Sequence, residues 1–390
     1  MNSRSNVELH HEGEETVKPF HLFKLPYLAN LLVIESMDID ARFHLPFASK
    51  KTDRLLKKAR KPTVRAAIKL KNDEILLEFI KDDACLVIKN DKESVEEYKA
   101  DYKPHYYPYC STVVKLAASH FKYARDVCWF EELEIKICDE KVGTEQLGEF
   151  LDHPSFQHWT CMIIERVDLE AEQLSLILDR ANSNRSLMVM ESRVPLDFKH
   201  PNAFKFKENG YDDARWVSLD DLLNIKNVAN VALGTTTFID NDIKVFVNHL
   251  VKSDEDLFEW IMISYKSLLP VDQLLEGLVM LEYPVPNGAL HFTLAKPNSS
   301  NRKRTLLEFN SIPDVITIST LLPTEDHPEN KKYNNAAKIL ELLEEKVRLK
   351  EKLVKNYSNK NRQELAIVTN KLKELNVIIE NGKARVEQWD

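Results

Sequence analysis

A short apolar strand pattern recurs through the middle of this chain, repeatedly followed by a helical pattern, and no other feature restricts the fold as strongly. Residues 133–137 (LEIKI), 159–165 (WTCMIIE), 186–191 (SLMVME), 228–233 (VANVAL) and 257–264 (LFEWIMIS) read as strands. Helical periodicity occupies 144–151, 169–181, 241–251 and 271–278. The central strand positions Ile135, Ile163, Val189, Val231 and Ile261 lie about 26 to 30 residues apart, with one longer gap. A unit of one strand and one helix cannot bury its apolar side alone, so successive units must stack. The expected architecture is an irregular α/β arc, with parallel strands on one face and helices on the other. Trp216, Phe246 and Trp260 are expected to lie in its core.

Different patterns flank this region. Between 66 and 90, three apolar runs (AAIKLK, EILLEFI, ACLVIKN) are separated by Lys71-Asn72-Asp73 and Lys81-Asp82-Asp83, which predicts a three-stranded meander. The Tyr- and Pro-rich segment 102–109 reads as an irregular crossing, followed by a helix over 111–123. Residues 285–322 read as a β-hairpin or small meander, with Asn301-Arg302-Lys303-Arg304 in a solvated loop. From 334 to 388 proline is absent. Ile339, Leu342, Leu349 and Leu353 recur at helical spacing, and Leu365, Val368, Leu372, Leu375 and Ile379 alternate steps of three and four, as in a coiled-coil seam. Polar residues 358–362 separate the two stripes. One long interrupted helix fits, and so does an antiparallel hairpin turning near Ser358. The short link favours the hairpin within a monomer over a dimeric coiled coil.

With 390 residues, 43% of them hydrophobic, the chain can build two or three domains with ample core. No run of eighteen apolar residues suggests a membrane span. Residues 1–17 are polar, without the apolar stretch of a secretory signal, and are expected to be disordered. Five cysteines at irregular spacing predict reduced thiols in the cytoplasm or nucleus. A net charge of −8 argues against a dedicated nucleic-acid binder. Against that average, residues 50–61 hold seven Lys or Arg and one Asp, which fits a nuclear-localisation or phosphate-binding patch and, more readily, a solvated helix face that steers the chain towards an acidic partner.

Residues 18–62 are expected to form a small helical docking module. An apolar approach leads to Leu25-Pro26, where proline suits a first helical turn. Leu28, Leu31, Leu32 and Ile34 follow; Met37-Asp38-Ile39-Asp40 breaks the pattern, with Asp38 or Asp40 as the next cap. Phe43, Leu45 and Phe47 then precede Ser49-Lys50-Lys51. Three short helices cannot bury this much apolar surface among themselves, so the surplus needs a partner.

That order of features resembles an F-box. The resemblance implies docking on a Skp-type adaptor, and through it a cullin, with Leu25, Pro26, Leu28, Leu32, Ile34, Phe43 and Leu45 as the adaptor-binding residues. Further along, Arg215-Trp216, a helix over 219–223 capped by Ser218, Phe238, Phe246 and the strand near Leu257 resemble the type 2 F-box-associated domain, here over 201–280, of an F-box family expanded in nematodes. The strand–helix spacing is similar to that of leucine-rich repeats. Together these imply an F-box at 18–62, a linking meander and helix at 63–128, a leucine-rich-repeat-like α/β domain at 129–322 and a helical segment at 331–390. The function implied is substrate recognition for an SCF-type ubiquitin ligase, with an unidentified protein as target. The alternative is a Skp-binding or coiled-coil scaffold without a ligase role.

Catalytic signatures are scarce. With eight glycines, no phosphate-cradling motif is present, and GxSxG and CxxC are absent. His105, Cys110, His120 and Cys128 are the nearest metal-like grouping and read as structural. Asp212/Asp213 and Asp220/Asp221 read as turn and cap residues. No enzyme activity, cofactor, nucleic acid or membrane is expected.

Overall fold

The computed structural model describes residues 22–71, 74–79, 84–89, 112–139, 142–266, 270–286, 288–298, 301–312, 314–323, 331–380 and 382–386. The expected tail (1–17) and the crossing at 102–109 lie outside them.

Three short helices come first: α1 (Tyr27–Ser36), α2 (Ile39–Ala48) and α3 (Lys50–Leu56). Their starts are set locally. The Asp38 carboxylate accepts the Ala41 N–H at 2.7 Å, and the Ser49 hydroxyl accepts the Thr52 N–H at 3.1 Å, each satisfying a helix-end donor. Helix α2 runs on through Pro46.

The expected meander follows as β1 (Thr63–Leu70), β2 (Glu74–Phe79) and β3 (Ala84–Lys89), paired antiparallel. Helix α4 (Val113–Val127) then returns the chain to β4 (Trp129–Ile137), which pairs parallel with β1. From β4 onward α5 (Thr144–Asp152), β5 (Cys161–Glu165), α6 (Ala171–Leu178), β6 (Ser186–Met190), β7 (Glu208–Asp213), α7 (Leu219–Leu223), β8 (Val228–Thr235), α8 (Asp240–Lys252), β9 (Phe258–Ser264) and α9 (Val271–Leu274) succeed one another. Strands β4 to β9 lie side by side in chain order, each parallel to the next.

The sheet continues through β13 (Val315–Leu321), β12 (Leu306–Ile312), β11 (Gly288–Leu294) and β10 (Leu281–Val285), all antiparallel. Helices α10 (Lys331–Lys355) and α11 (Asn359–Glu374) form an antiparallel pair, turning at Ser358 as the polar break predicts. A terminal hairpin, β14 (Val377–Glu380) and β15 (Lys383–Val386), adds to the sheet by pairing β15 parallel with β10. Fifteen strands among the described residues thus form one mixed sheet.

Four expectations need correction. The longer gap between Val189 and Val231 contains a strand, β7, whose sequence ENGYDD lacks an apolar pattern. Its inward residues are polar and held by hydrogen bonds: the Tyr211 hydroxyl donates to the Ala203 carbonyl at 2.8 Å and the Asn209 amide N–H to the Phe206 carbonyl at 3.0 Å, while the Asn209 side-chain oxygen is buried without a partner. Trp260 is half-buried on the solvent-facing side of the sheet, whereas Trp216 and Phe246 lie in the core. The basic loop is a structural staple. Arg302 is 5% exposed, and its guanidinium donates to the Leu250 carbonyl and, at 3.2 Å, to the Ser253 carbonyl, closing the C-terminal end of α8. Finally, the last helix stops at Glu374, and Ile379 belongs to β14.

Two apolar clusters hold the molecule together. The larger joins helices α1–α9 to the inward side of β1, β2, β4–β9, β12 and β13, and it includes Ile34, Phe43, Leu55 and Leu56 from α1–α3. The N-terminal helices therefore share one core with β1 and α4; Phe43 meets Tyr123 of α4 edge to face at 5.9 Å. The smaller cluster seats Ala336, Ile339, Leu340 and Leu343 of α10, with Leu372 of α11, on Leu281, Phe292 and Leu306 of β10–β12.

Candidate protein-docking surfaces

On α1, residues four apart share a side. One side, with Asn30 and Ile34, is buried; the opposite side presents Tyr27 (50% exposed), Leu28 (71%) and Leu32 (66%). Pro26 is exposed and Leu25 half-buried at the entry to the helix. Phe23 extends this surface, with the Lys51 ammonium 4.3 Å from its ring centre, and Lys58 lies 5.9 Å from the Tyr27 ring. Lysines from α3 and the turn after it thus rim an apolar strip.

The geometry divides the expected adaptor-binding residues. Pro26, Leu28 and Leu32 are presented to solvent, with Leu25 at the margin. Ile34 (0% exposed) and Phe43 (6%) are core residues, and Leu45 packs against the same core. These three hold the helices on β1 and α4 and do not face outward. Tyr27, which the sequence reading passed over, belongs to the strip; its four- and five-residue steps to Leu31 and Leu32 were the available signal.

Arg42 fixes the angle between the helices. Only 3% exposed, it donates to the carbonyls of Glu35 (2.7 Å), Arg60 (2.9 Å) and Met37 (3.2 Å), tying the end of α1 to the exit from α3. Burial lowers its pKa from the ordinary arginine value. Glu35 reinforces the link by accepting the Arg60 N–H at 2.8 Å.

A second surface is the side of the sheet away from helices α1–α9. Strand pairing aligns Lys136, Ile163, Met188, Gly210, Ala232 and Met262 in one row across β4–β9. The adjacent row is more polar, with Glu134, Cys161, Ser186, Glu208, Asn230 and Trp260. Gly210 keeps the first row shallow: a Cβ there would collide with the Met188 thioether, and one at Gly234 would collide with the Asp212 carbonyl. The pairing continues through Trp260, Ser319, Glu308 and Phe292, so α10, seated on Phe292, stands on this same side and bounds it at one end.

Two cavities open where the parallel strands begin. One of about 550 Å³ is lined by Lys61, Arg125, Trp129 and His158 among others, with Lys61 5.0 Å from the Trp129 ring centre. The other, about 490 Å³, includes Lys207, Asn227, Asp256 and Arg304. There Arg304 pairs with Glu259 at 2.6 Å, and Asp256 accepts the Arg304 N–H at 2.9 Å.

Asp221 and Asp213, singled out in the sequence, serve as structure. Asp221 completes the cap of α7 by accepting the Ser218 N–H at 2.8 Å, and Asp213 pairs with Arg215 at 2.6 Å. Of the metal-like grouping, His105 and Cys110 lie outside the described residues, and the buried Cys128 thiol donates to the Ala124 carbonyl at 3.2 Å. Burial pushes Cys128 up to about 12; burial, with nearby carboxylates, raises Cys161 to about 11. Both thiols are therefore protonated at neutral pH. Among the described residues no group of three or more His, Cys, Asp and Glu could hold a metal, and no helix is long and apolar enough to cross a membrane.

No family model, curated protein or solved structure matches this chain.

Proposed function

We propose that this chain is a substrate receptor of an SCF-type ubiquitin ligase, docking on a Skp-type adaptor through α1 and holding a target protein on its sheet domain. The observation that carries the reading is the strip of Tyr27, Leu28 and Leu32, an apolar helix side held outward by a buried arginine and rimmed by lysines. Such a surface suits a partner with an apolar groove and an acidic rim. The chain-order parallel ladder β4–β9 supports the leucine-rich-repeat-like part of the reading, since stacked units offer one extended face to a partner. The chain performs no chemistry in this scheme. It raises the effective concentration of target lysines near a charged ubiquitin-conjugating enzyme, in the cytoplasm or nucleus.

The test is co-purification of tagged full-length chain with a Skp-type adaptor and cullin. Leu28→Asp with Leu32→Asp should abolish recovery of both and leave thermal unfolding unchanged, because neither side chain is in the core. Central interface anchors cost about 2 kcal/mol or more each when lost. Recovery should also weaken with added salt, given the lysine rim. Undiminished adaptor binding by the double variant refutes the docking surface; adaptor recovered without cullin favours the scaffold alternative.

A further inference from the structure

The solvent-facing side of β4–β9 carries an uneven charge. Glu134 pairs with Lys136 at 3.2 Å, and Arg166 is shared between Glu191, at 2.8 Å, and Glu165, at 3.4 Å. Glu208 and Asp212, on the central strand β7, have no cationic partner among the described residues. Glu208 accepts the Ser186 hydroxyl at 3.2 Å and the Asn230 amide at 3.2 Å, and Asp212 accepts the Glu191 N–H at 2.8 Å. These bonds orient both carboxylates without cancelling their charge.

Their spacing is informative. Glu208 and Asp212 are four residues apart on one strand, hence on the same side and about 13 Å apart at the usual rise per residue. Gly210 lies between them, and Met188 and Ala232 flank it on the neighbouring strands. Two negative ends therefore enclose a shallow apolar floor. Trp260 lies two strands from Glu208, beyond Asn230, where a guanidinium can stack. Helix α10 packs over β10–β12 at the far end of the face and not over β5–β9.

We propose that this face binds an extended polypeptide segment with basic residues at positions i and i+4 and an apolar residue at i+2. An extended chain repeats its side-chain direction every second residue, with the same rise as β7, so both cations meet the carboxylates while the residue between them rests on the floor. Charge complementarity selects the occupant, since an acidic segment would bring like charges together at both ends. The proposal rests on the reading of the chain as a receptor and names the class of target it takes.

The test uses free full-length chain without adaptor, at about 0.15 M salt, where exposed long-range attraction is largely screened. The probe is a fluorescein-labelled peptide, Gly-Ser-Arg-Thr-Leu-Thr-Arg-Ser-Gly, read by anisotropy. It should bind at least about tenfold more tightly than the shuffled Gly-Ser-Arg-Arg-Leu-Thr-Thr-Ser-Gly and than the version with Glu replacing both Arg, a difference of about 1.4 kcal/mol. Glu208→Gln with Asp212→Asn should erase that preference, while Glu145→Gln with Glu172→Gln, exposed on the helical side, should preserve it. Ala232→Phe, which raises the floor and leaves every charge in place, should also weaken binding. Equal affinity for the shuffled peptide, or a preference that survives the Glu208 and Asp212 changes, overturns the proposal. Adaptor recovery is scored separately with the α1 variants, so failure there removes the ligase reading and failure here removes only the target class.

Discussion

Arg302 and Arg42 are buried guanidiniums that bind carbonyl oxygens at the ends of helices, where unpaired carbonyls and the helix dipole both favour a cation. Neither role is readable locally, because Arg302 meets Leu250 and Ser253 roughly fifty positions away in the chain. The caps Asp38 and Ser218 were legible because donor and acceptor lie within three residues; the same holds for Ser49, which the sequence reading did not single out as a cap. His120 of α4 gives a residue-scale prediction. Burial lowers its pKa to about 4, against about 6.5 when unfolded. The unfolded imidazole takes a proton first on acidification, so this stabilisation is complete above pH 6.5 and is lost as pH falls towards 4. Between pH 7 and pH 5 the loss should be about 2 kcal/mol. Urea unfolding at both pH values should show that loss in the native chain and a smaller one in His120→Gln; equal pH dependence would contradict the assignment.

At the scale of elements, periodicity succeeded wherever a segment had one wet side and one dry side. Helix α8 shows this, with Ile243, Phe246, Val247 and Leu250 buried. It failed for β7, because that strand buries Asn209 and Tyr211 through hydrogen bonds and not through apolar alternation. It also failed past Glu374. The three-four seam invited a helix through Ile379, yet Asn376 takes a left-handed conformation (φ 56°) that ends it, and β14 pairs back with β15, where Gly382 has φ 81°. The dipeptide Asn381-Gly382 was the sequence signal for such a turn, and the heptad reading passed over it. The remaining seam is occupied within the chain, Leu372 being 1% exposed against α10 and β10–β12. Leu372→Asp should therefore cost about 3 kcal/mol or more in unfolding free energy. Sedimentation of the unmodified chain should stay monomeric across a wide concentration range. A dimer that this substitution dissociates would place the seam between two copies instead.

For the molecule as a whole, the shared core matters more than the boundaries between segments. Helices α1–α3 contribute Ile34, Leu55 and Leu56 to the cluster that also holds β1 and α4, and Lys61 donates to the Arg125 carbonyl at 2.7 Å. Removing residues 1–62 should thus destabilise the remainder by several kcal/mol, at about 2 kcal/mol for each large apolar side chain withdrawn. Comparison of urea midpoints for the full and truncated chains checks this. Equal stability would make the helices an independent appendage. It follows that docking and target binding are better separated by the surface changes at Leu28 and Leu32 than by truncation.

The sequence by itself determined the local elements: the serial strand–helix units, the N-terminal meander, the helical pair turning at Ser358 and the principal caps. Each depends on neighbours within one turn or one strand, where periodicity and turn chemistry act directly. Which side of α1 is dry, which residues share a row on the sheet and where Arg302 points were decided only by tertiary structure. Those features depend on partners tens or hundreds of residues away, and Leu28 and Ile34 are equally apolar until packing places one in water and the other in the core.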